Sequence, residues 1–388
     1  MHILKLSDVY FPRINGVSTS IQTFRQALAE QEVRVTVVAP DYPGCAAAEG
    51  VIRLPSRRVP FDPEDRLMRR SALRALPRRL ATAGIDLVHV QTPFAAHYAG
   101  LDLARRLGVP CVATYHTHFE EYLFHYIRFL PRAALRAAAR HLAKSQCDAL
   151  DAVVVPSRPM AETLRGYGVA APLHVIPTGL DAGQFLRGDG ARFRQAHGIA
   201  ADRKIALYVG RAAFEKNIGF LLEMAALARA SRPDLLLVIA GEGPALPSLR
   251  RRVVELGLHD HVRLVGYLPR DSGLKDCYAA ADLFVFASLT ETQGLVLLEA
   301  MALGLPVLAI AALGAAEIVG PQRGAVSAPP EVAGFAAELV RLLDDPLRLA
   351  RLGVAGQTFA RQWDASSQAS TLAALYRSLV RPRMALAA

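Results

Sequence analysis

Leu283-Phe284-Val285-Phe286-Ala287-Ser288-Leu289-Thr290-Glu291-Thr292-Gln293-Gly294-Leu295-Val296-Leu297-Leu298-Glu299 joins two apolar runs through a short polar loop, with a glutamate in the loop and another at the far end. The first run reads as a buried parallel strand, and the second as a helix beginning after Gly294 at the strand's carboxyl edge. Ligands of open α/β sheets bind at that edge. A helix start there offers backbone N–H groups and a positive dipole end, which suit a phosphate. Counted as helical positions, the interval from Glu291 to Glu299 turns by about 80° and climbs about 12 Å, so the two carboxylates address the two ends of one elongated, hydroxyl-rich ligand. A sugar joined to a nucleoside through a diphosphate has that shape.

Outward from this stretch the pattern repeats. Strand-like runs at 3–6, 33–39, 87–91, 109–114, 153–155 and 174–176 alternate with helical segments near 18–30 and 98–107. A second series follows: 205–209, 235–240, 262–265, 283–286 and 307–310, with helices near 217–230 and 246–256. Strand and helix in alternation predict parallel sheets covered on both faces. The expected fold class is therefore α/β, with two doubly wound Rossmann-like domains facing each other across a cleft. The turn-forming stretch Ile176-Pro177-Thr178-Gly179-Leu180-Asp181 marks the boundary, dividing the chain into 1–178 and 179–364. A final helix within 365–388 follows the single tryptophan, Trp363. It either packs back on the first domain with Trp363 as anchor, or Trp363 fills the second core.

Composition narrows the function classes. With 388 residues, 52% of them hydrophobic, the chain has ample core for two domains. Its four cysteines, Cys45, Cys111, Cys147 and Cys277, form neither a short-spaced metal set nor a disulfide framework, which fits a reducing cytoplasm. The uncharged run from Ala300 to Ala316 is split by Gly304 and Pro306, so it reads as a helix end and a buried strand rather than a membrane span. The net charge of +10 is local. Arg53 to Arg79 holds nine arginines and three acids, and Arg128 to Lys144 holds five bases and no acid.

Several residues are placed at strand ends where ligands bind. Gly16 lies in Asn15-Gly16-Val17-Ser18 before a helix, where a missing side chain lets a backbone N–H approach an oxyanion. Arg211 follows the strand ending at Gly210, and Lys216 stands five residues later; two cations there suit a diphosphate leaving group. His116, in Thr114-Tyr115-His116-Thr117-His118-Phe119-Glu120-Glu121-Tyr122, can hydrogen-bond a sugar hydroxyl or phosphate or take part in proton transfer. His118 makes a zinc pair conceivable, but no third ligand has helpful spacing, and no metal is expected. A nicotinamide or flavin enzyme is disfavoured, since neither the Asn15 loop nor Gly241-Glu242-Gly243-Pro244 completes the three-glycine fingerprint.

Taken together, Glu291…Glu299, Arg211 with Lys216-Asn217, the Asn15-Gly16-Val17 loop, His116, and Pro177-Thr178-Gly179-Leu180-Asp181 resemble family 4 of the retaining glycosyltransferases of GT-B fold. The resemblance implies an acceptor-binding first domain, a nucleotide-sugar-binding second domain and metal-independent transfer of a hexose with retention. It implies that Glu299 holds the ribose, Glu291 the donor hexose, and backbone N–H groups around Gly294 and Leu295 the phosphates, with Thr292 and Gln293 in the same loop. Arg211 and Lys216 would stabilise the departing diphosphate, and His116 would touch the sugar near the reacting centre. Gly266 and Tyr267 are candidates for the nucleobase pocket. The His116 stretch and Glu291-Thr292-Gln293-Gly294 look most like enzymes that glycosylate diacylglycerol and related lipids, which points to UDP-glucose first and GDP-mannose second. The loop Ala311-Ala312-Leu313-Gly314-Ala315-Ala316-Glu317 departs from the family by being unusually apolar, so no sugar contact is expected from it.

Arg132, Arg136, Arg140 and Lys144 recur every four residues, beside Leu130, Leu135 and Leu142. Such a stripe suits a helix lying on an anionic membrane, and with the lipid acceptor it predicts peripheral attachment to the inner face of the cell membrane. Its bland counterpart is a solvated outer helix. Three other functions compete: transfer to a soluble glycan or small molecule, sugar-nucleotide epimerisation on the same fold, and nucleic-acid binding. The basic segments lack the aromatic or recognition-helix motifs that nucleic-acid binding needs.

Overall fold

Six consecutive apolar residues such as Leu235–Ala240, all buried, are too few for a helix and suit a strand covered on both faces. The computed structural model describes residues 1–59, 62–116, 132–181, 183, 188–270 and 272–380, which divide into two units: 1–179 with 365–388, and 180–364.

In the first unit, β1 (His2–Leu6), β2 (Arg34–Pro40) and β3 (Val51–Leu54) precede an antiparallel hairpin of β4 (Ser56–Val59) and β5 (Asp62–Met68). Then come β6 (Leu87–Val90), β7 (Cys111–Thr114), β8 (Ala152–Val155) and β9 (Leu173–Val175). Seven of these form one parallel sheet in the order β3-β2-β1-β6-β7-β8-β9. The order reverses between β1 and β6. The final helix, Ala365–Leu379, buries Ala369, Leu372, Ala373 and Tyr376 in one core with Ile3, Ile21, Phe24 and Val37, so it belongs to this unit. Trp363 does not anchor it: the indole is half-buried against the core of the second unit, edge-on to Phe359.

The second unit contains β10 (Lys204–Val209), β11 (Leu235–Ala240), β12 (Val262–Gly266), β13 (Leu283–Phe286), β14 (Val307–Ala309) and β15 (Ala325–Ser327), all parallel. Their order, β12-β11-β10-β13-β14-β15, is the doubly wound arrangement, with its reversal between β10 and β13. Tyr208, Phe284 and Phe286 are buried at the sheet centre, and truncating such a ring to alanine costs about 3–5 kcal/mol. The run 300–316 breaks, as its glycine and proline predict, into the end of the helix Leu295–Ala302, then β14, then a 3₁₀ turn at Leu313–Glu317. Among the described residues no helix is long and apolar enough to cross a membrane.

Candidate functional site

In the second unit the chain leaves β10 and β13, the strands flanking the reversal, through Gly210–Asn217 and Ala287–Gly294. These two loops are stapled together. The Asn217 amide donates to the Ala287 carbonyl at 3.2 Å, and the hydroxyls of Ser288 and Thr290 both reach the Glu215 carbonyl at 3.3 Å. Asn217 sits at φ +53°, a left-handed conformation asparagine tolerates better than most residues, and this turns the chain into the helix Ile218–Ala228. Across the staple, Lys216 Nζ forms an ion pair with Glu291 Oε1, both side chains being largely shielded from solvent. Two residues expected to face different parts of one ligand thus hold each other.

Glycine makes the rest of this rim possible. Gly210, Gly241 and Gly243 have φ of +153°, +145° and +152°, and a Cβ on Gly241 would stand 1.9 Å from the Gly210 carbonyl oxygen. The loops after β10, β11 and β12 therefore meet by main chain alone: Gly210 N–H donates to Ala240 O at 3.0 Å, and Gly241 N–H to Gly266 O at 2.8 Å. Arg211 is placed directly on this rim, half-buried, with its carbonyl accepting from the Tyr208 hydroxyl at 3.2 Å. Tyr267, after Gly266, is 48% exposed, so its ring is open to a planar partner.

The helix Leu295–Ala302 starts at Gly294, whose φ of +90° only glycine adopts freely, and no side chain caps its first turn. Glu291 therefore lies in the loop before the helix, and the 12 Å rise expected from helical counting does not apply to the Glu291–Glu299 pair. Glu299 is on the helix, 2% exposed, in an ion pair with Arg270 and accepting from the Tyr278 hydroxyl at 3.4 Å. The charge of Glu299 holds the Arg270 guanidinium above its ordinary pKa. Thr292 and Gln293 complete the loop, Gln293 buried. The apolar loop at 311–317 contributes indirectly: Gly314 N–H donates to the Glu291 carbonyl at 2.8 Å, so it supports the carboxylate's backbone. Sequence reading missed Arg270, Tyr278 and Gly314. The one available signal was Arg270 itself, a charge just beyond the strand end at Gly266.

The first unit carries a different site at its own reversal. Gln91 and Thr92 follow β6, and Ser7 and Asp8 follow β1. Asp8 is buried; the Thr92 hydroxyl donates to it at 2.7 Å, and Ala96 N–H, at the start of the helix Ala95–Leu107, donates at 3.1 Å. Burial nonetheless pushes its carboxyl up to about 6. His116, beyond β7, faces Gln91 Oε1 through Nε2 at 3.1 Å, and burial, with Lys5 adding to it, pushes the imidazole down to about 3. An imidazole so shifted is neutral at physiological pH and far from the range of an effective general base. Behind it His89 bridges the Tyr376 and Thr114 hydroxyls at 2.5 and 2.7 Å. Lys5, near the end of β1, has no hydrogen-bond partner among the described residues, lies 5.1 Å from the Phe24 ring centroid, and is pushed by burial down to about 7. Gly16 is the first residue of the helix Gly16–Ala29, whose cap is Asn15 Oδ1 accepting from Ser18 N–H at 2.8 Å.

The two basic segments part company. In the helix Arg132–Cys147, Leu135 is buried rather than beside an exposed stripe, Lys144 is ion-paired with Asp148, and Arg140 lies over the Tyr167 ring at 5.3 Å. Arg136 is exposed; the side chain of Arg132, with Leu130 and the stretch from Thr117 to Tyr122 that includes His118, lies outside the described residues. The helix Arg70–Leu80 instead buries Leu76 and Leu80 and exposes Arg70, Arg74, Arg78 and Arg79, with Arg69 just before it. Among the described residues none of these five has an acidic partner.

Comparison with known proteins follows the same division. Residues 14–184 match the family model Glycosyltransferase Family 4, and residues 189–359 match Glycosyl transferases group 1. An alpha-monoglucosyldiacylglycerol synthase of Streptococcus pneumoniae is 34% identical over 80% of this chain and 71% of its own length. A GDP-mannose-dependent alpha-(1-6)-phosphatidylinositol monomannoside mannosyltransferase of Mycolicibacterium smegmatis is 29% identical over 96% of this chain and 97% of its own. Among solved structures, sucrose-phosphate synthase from Thermosynechococcus elongatus superposes with a TM-score of 0.79 at 24% identity, covering 98% of this chain and 99% of that one. HepE of Anabaena in complex with UDP-glucose gives 0.78 at 19%, covering 98% and 100%. At these identities the two structures speak for the fold, which is GT-B.

Proposed function

The chain belongs to family 4 of the glycosyltransferases and is a hexosyltransferase, and from that premise we propose that it moves a hexose from a nucleotide-diphosphate sugar to a hydroxyl of a membrane lipid such as diacylglycerol. UDP-glucose is the first choice of donor and GDP-mannose the second. Transfer proceeds with retention and without a metal, the second unit holding the donor and the first the acceptor. The lipid class rests on the similarity to the diacylglycerol and phosphatidylinositol mannoside enzymes.

The observation that carries the mechanism is the Lys216–Glu291 pair beside the uncapped helix start at Leu295. As the glycosidic bond breaks, negative charge grows on the diphosphate and positive charge on the sugar ring. Lys216, Arg211 and the N–H groups of Leu295 and its neighbours stabilise the first, and Glu291 lies next to the second. Glu291 acts by position, since a front-face departure needs no covalent nucleophile; trapping a glycosyl adduct on Glu291 would reverse that reading. Glu299 and Arg270 hold the ribose, and Gly266 and Tyr267 the base.

Attachment to the cytoplasmic face of the membrane rests chiefly on Arg69, Arg70, Arg74, Arg78 and Arg79, with Arg132, Arg136, Arg140 and Lys144 secondary. Each basic residue near an anionic surface contributes about 1 kcal/mol, so changing Arg70, Arg74 and Arg78 to glutamine should weaken vesicle binding about a hundredfold. Flotation that persists unchanged would remove this role. The defining experiment is a turnover screen of UDP-glucose, UDP-galactose, UDP-N-acetylglucosamine and GDP-mannose against anionic vesicles containing diacylglycerol and against soluble sugars. A glycosylated lipid formed only with vesicles, in the presence of a chelator, supports the proposal. Turnover on soluble acceptors alone overturns the lipid acceptor and keeps the donor site.

A further inference from the structure

Strand alternation places Lys5, His89, Gln91, Thr114 and His116 on one face of the first unit's sheet, the face that packs against Gly16–Ala29 and Ala365–Leu379. Most of the polar atoms in this layer are matched. His89 uses both ring nitrogens, and Thr114 answers one of them. Gln91 is the exception that lies at the strand's carboxyl end. It is 2% exposed, its main-chain N–H extends the β1–β6 pairing by donating to Leu6 O at 2.8 Å, and its Oε1 faces His116 Nε2 at 3.1 Å. Among the described residues its Nε2 has no hydrogen-bond partner. Turning the amide over would move the deficit to the other atom, because only one of the two can face His116.

A buried amide left half-satisfied costs about 1–3 kcal/mol. The position is one where that cost has a use: Gln91 flanks the β1–β6 reversal, where a doubly wound sheet binds its ligand. We infer that Gln91 is a positioning residue for the acceptor, its Nε2 donating to a hydroxyl or ester oxygen of the incoming molecule while its Oε1 holds the His116 ring in place. The inference rests on the reading that the first unit binds the acceptor, and it adds the group that selects an oxygen-bearing, uncharged headgroup there. Lys5 shares the face but is level with His89, two positions before Gln91, and is 0% exposed.

The test uses the full-length enzyme and whichever acceptor the turnover screen establishes, with two variants. Gln91→Met keeps the length and removes both polar atoms; Gln91→Glu keeps an oxygen for His116 and loses the free N–H. Both should raise the acceptor KM tenfold to a hundredfold, while the donor KM and the calorimetric Kd for UDP change less than twofold. A merely structural role would instead lower the melting temperature and disturb the donor constants together. An unchanged acceptor KM in Gln91→Glu, or an equal loss on the donor side, overturns the inference. Failure of the lipid reading looks different: the unaltered enzyme then turns over only soluble acceptors, and the Gln91 comparison is read on those.

Discussion

At the carboxyl end of the second unit's sheet Lys216 meets Glu291 and Arg270 meets Glu299, whereas toward the same end of the first unit's sheet Asp8 is held by the Thr92 hydroxyl and the Ala96 N–H, and Lys5 and His116 both disfavour a charge on buried His89. Both sheets reverse strand order at the same place, so the backbone offers each a ligand site of one kind. The difference lies in how charge is managed. The second unit keeps its charges by pairing them, ready to be shared with an anionic ligand. Burial in the first unit drives its groups toward their neutral forms, Asp8 up to about 6 and His116 down to about 3, which suits hydrogen bonding to uncharged hydroxyls.

Removing the second unit's cation should produce the largest effect. Lys216→Ala takes away a preorganised positive charge and strands Glu291, so turnover should fall by about two to three orders of magnitude, the range for deleting one transition-state donor. Single-turnover kinetics with saturating donor reads it directly. Unchanged turnover would mean that the ion pair only staples the two loops.

The mirror experiment in the first unit should have the opposite sign. Among the described residues Lys5 has no hydrogen-bond partner, and exchanging a buried ammonium without a counter-charge there for an apolar side chain of similar length, Lys5→Met, should stabilise the protein by about 1–4 kcal/mol at neutral pH. The pH dependence follows from the lowered pKa. Between about 7 in the folded state and about 10.4 in the unfolded state the unfolded chain binds more protons, so stability rises with pH across that window and falls as pH drops through 7. Denaturant titrations at pH 7 and pH 9.5 should show this rise in the parent protein and its loss in Lys5→Met. A variant less stable at both values would show that the amine has a partner in solution.

A smaller effect is expected from Glu299→Gln, which keeps an oxygen for Arg270 and Tyr278 while removing the charge. If Glu299 serves the ribose, the donor KM should rise about tenfold, equivalent to about 1.4 kcal/mol, with kcat little changed. A lower melting temperature with an unchanged donor KM would reduce Glu299 to a structural partner of Arg270.

Which parts of this contrast were legible in sequence follows from the range of the interactions. The inner strands were plain, because fully buried parallel strands are unbroken apolar runs, as at Leu235–Ala240 and Leu283–Phe286. The β4–β5 hairpin and the helix Arg70–Leu80 escaped notice because arginines and acids dominate both, and Pro77 interrupts the helical pattern. Lys216 and Glu291 were each placed at a strand end, but their pairing spans 75 positions, and no local pattern reports it. The error over Glu291 was local: Gly294 both breaks and starts the helix, so helical counting had to begin after it. Lys5 was visible as the only charge in β1, yet nothing in sequence shows that its amine lacks a hydrogen-bond partner among the described residues.

The gentlest test sets one glycine in each unit against the other. Gly314 has no room: a Cβ would fall 2.2 Å from the Thr292 carbonyl oxygen, so Gly314→Ala must push the Glu291 loop aside, at about 1–3 kcal/mol. Stability and activity should then fall together. Gly16 has nothing within 4 Å of an added Cβ and lies in a helix, where alanine is favoured by up to about 1 kcal/mol. Gly16→Ala should therefore fold as well as the parent or slightly better. A loss of donor affinity in a protein of undiminished melting temperature would mean that the new methyl occupies space the ligand needs. Full activity would make Gly16 an ordinary first-turn residue and confine the phosphate contacts to the glycine rim and helix start of the second unit.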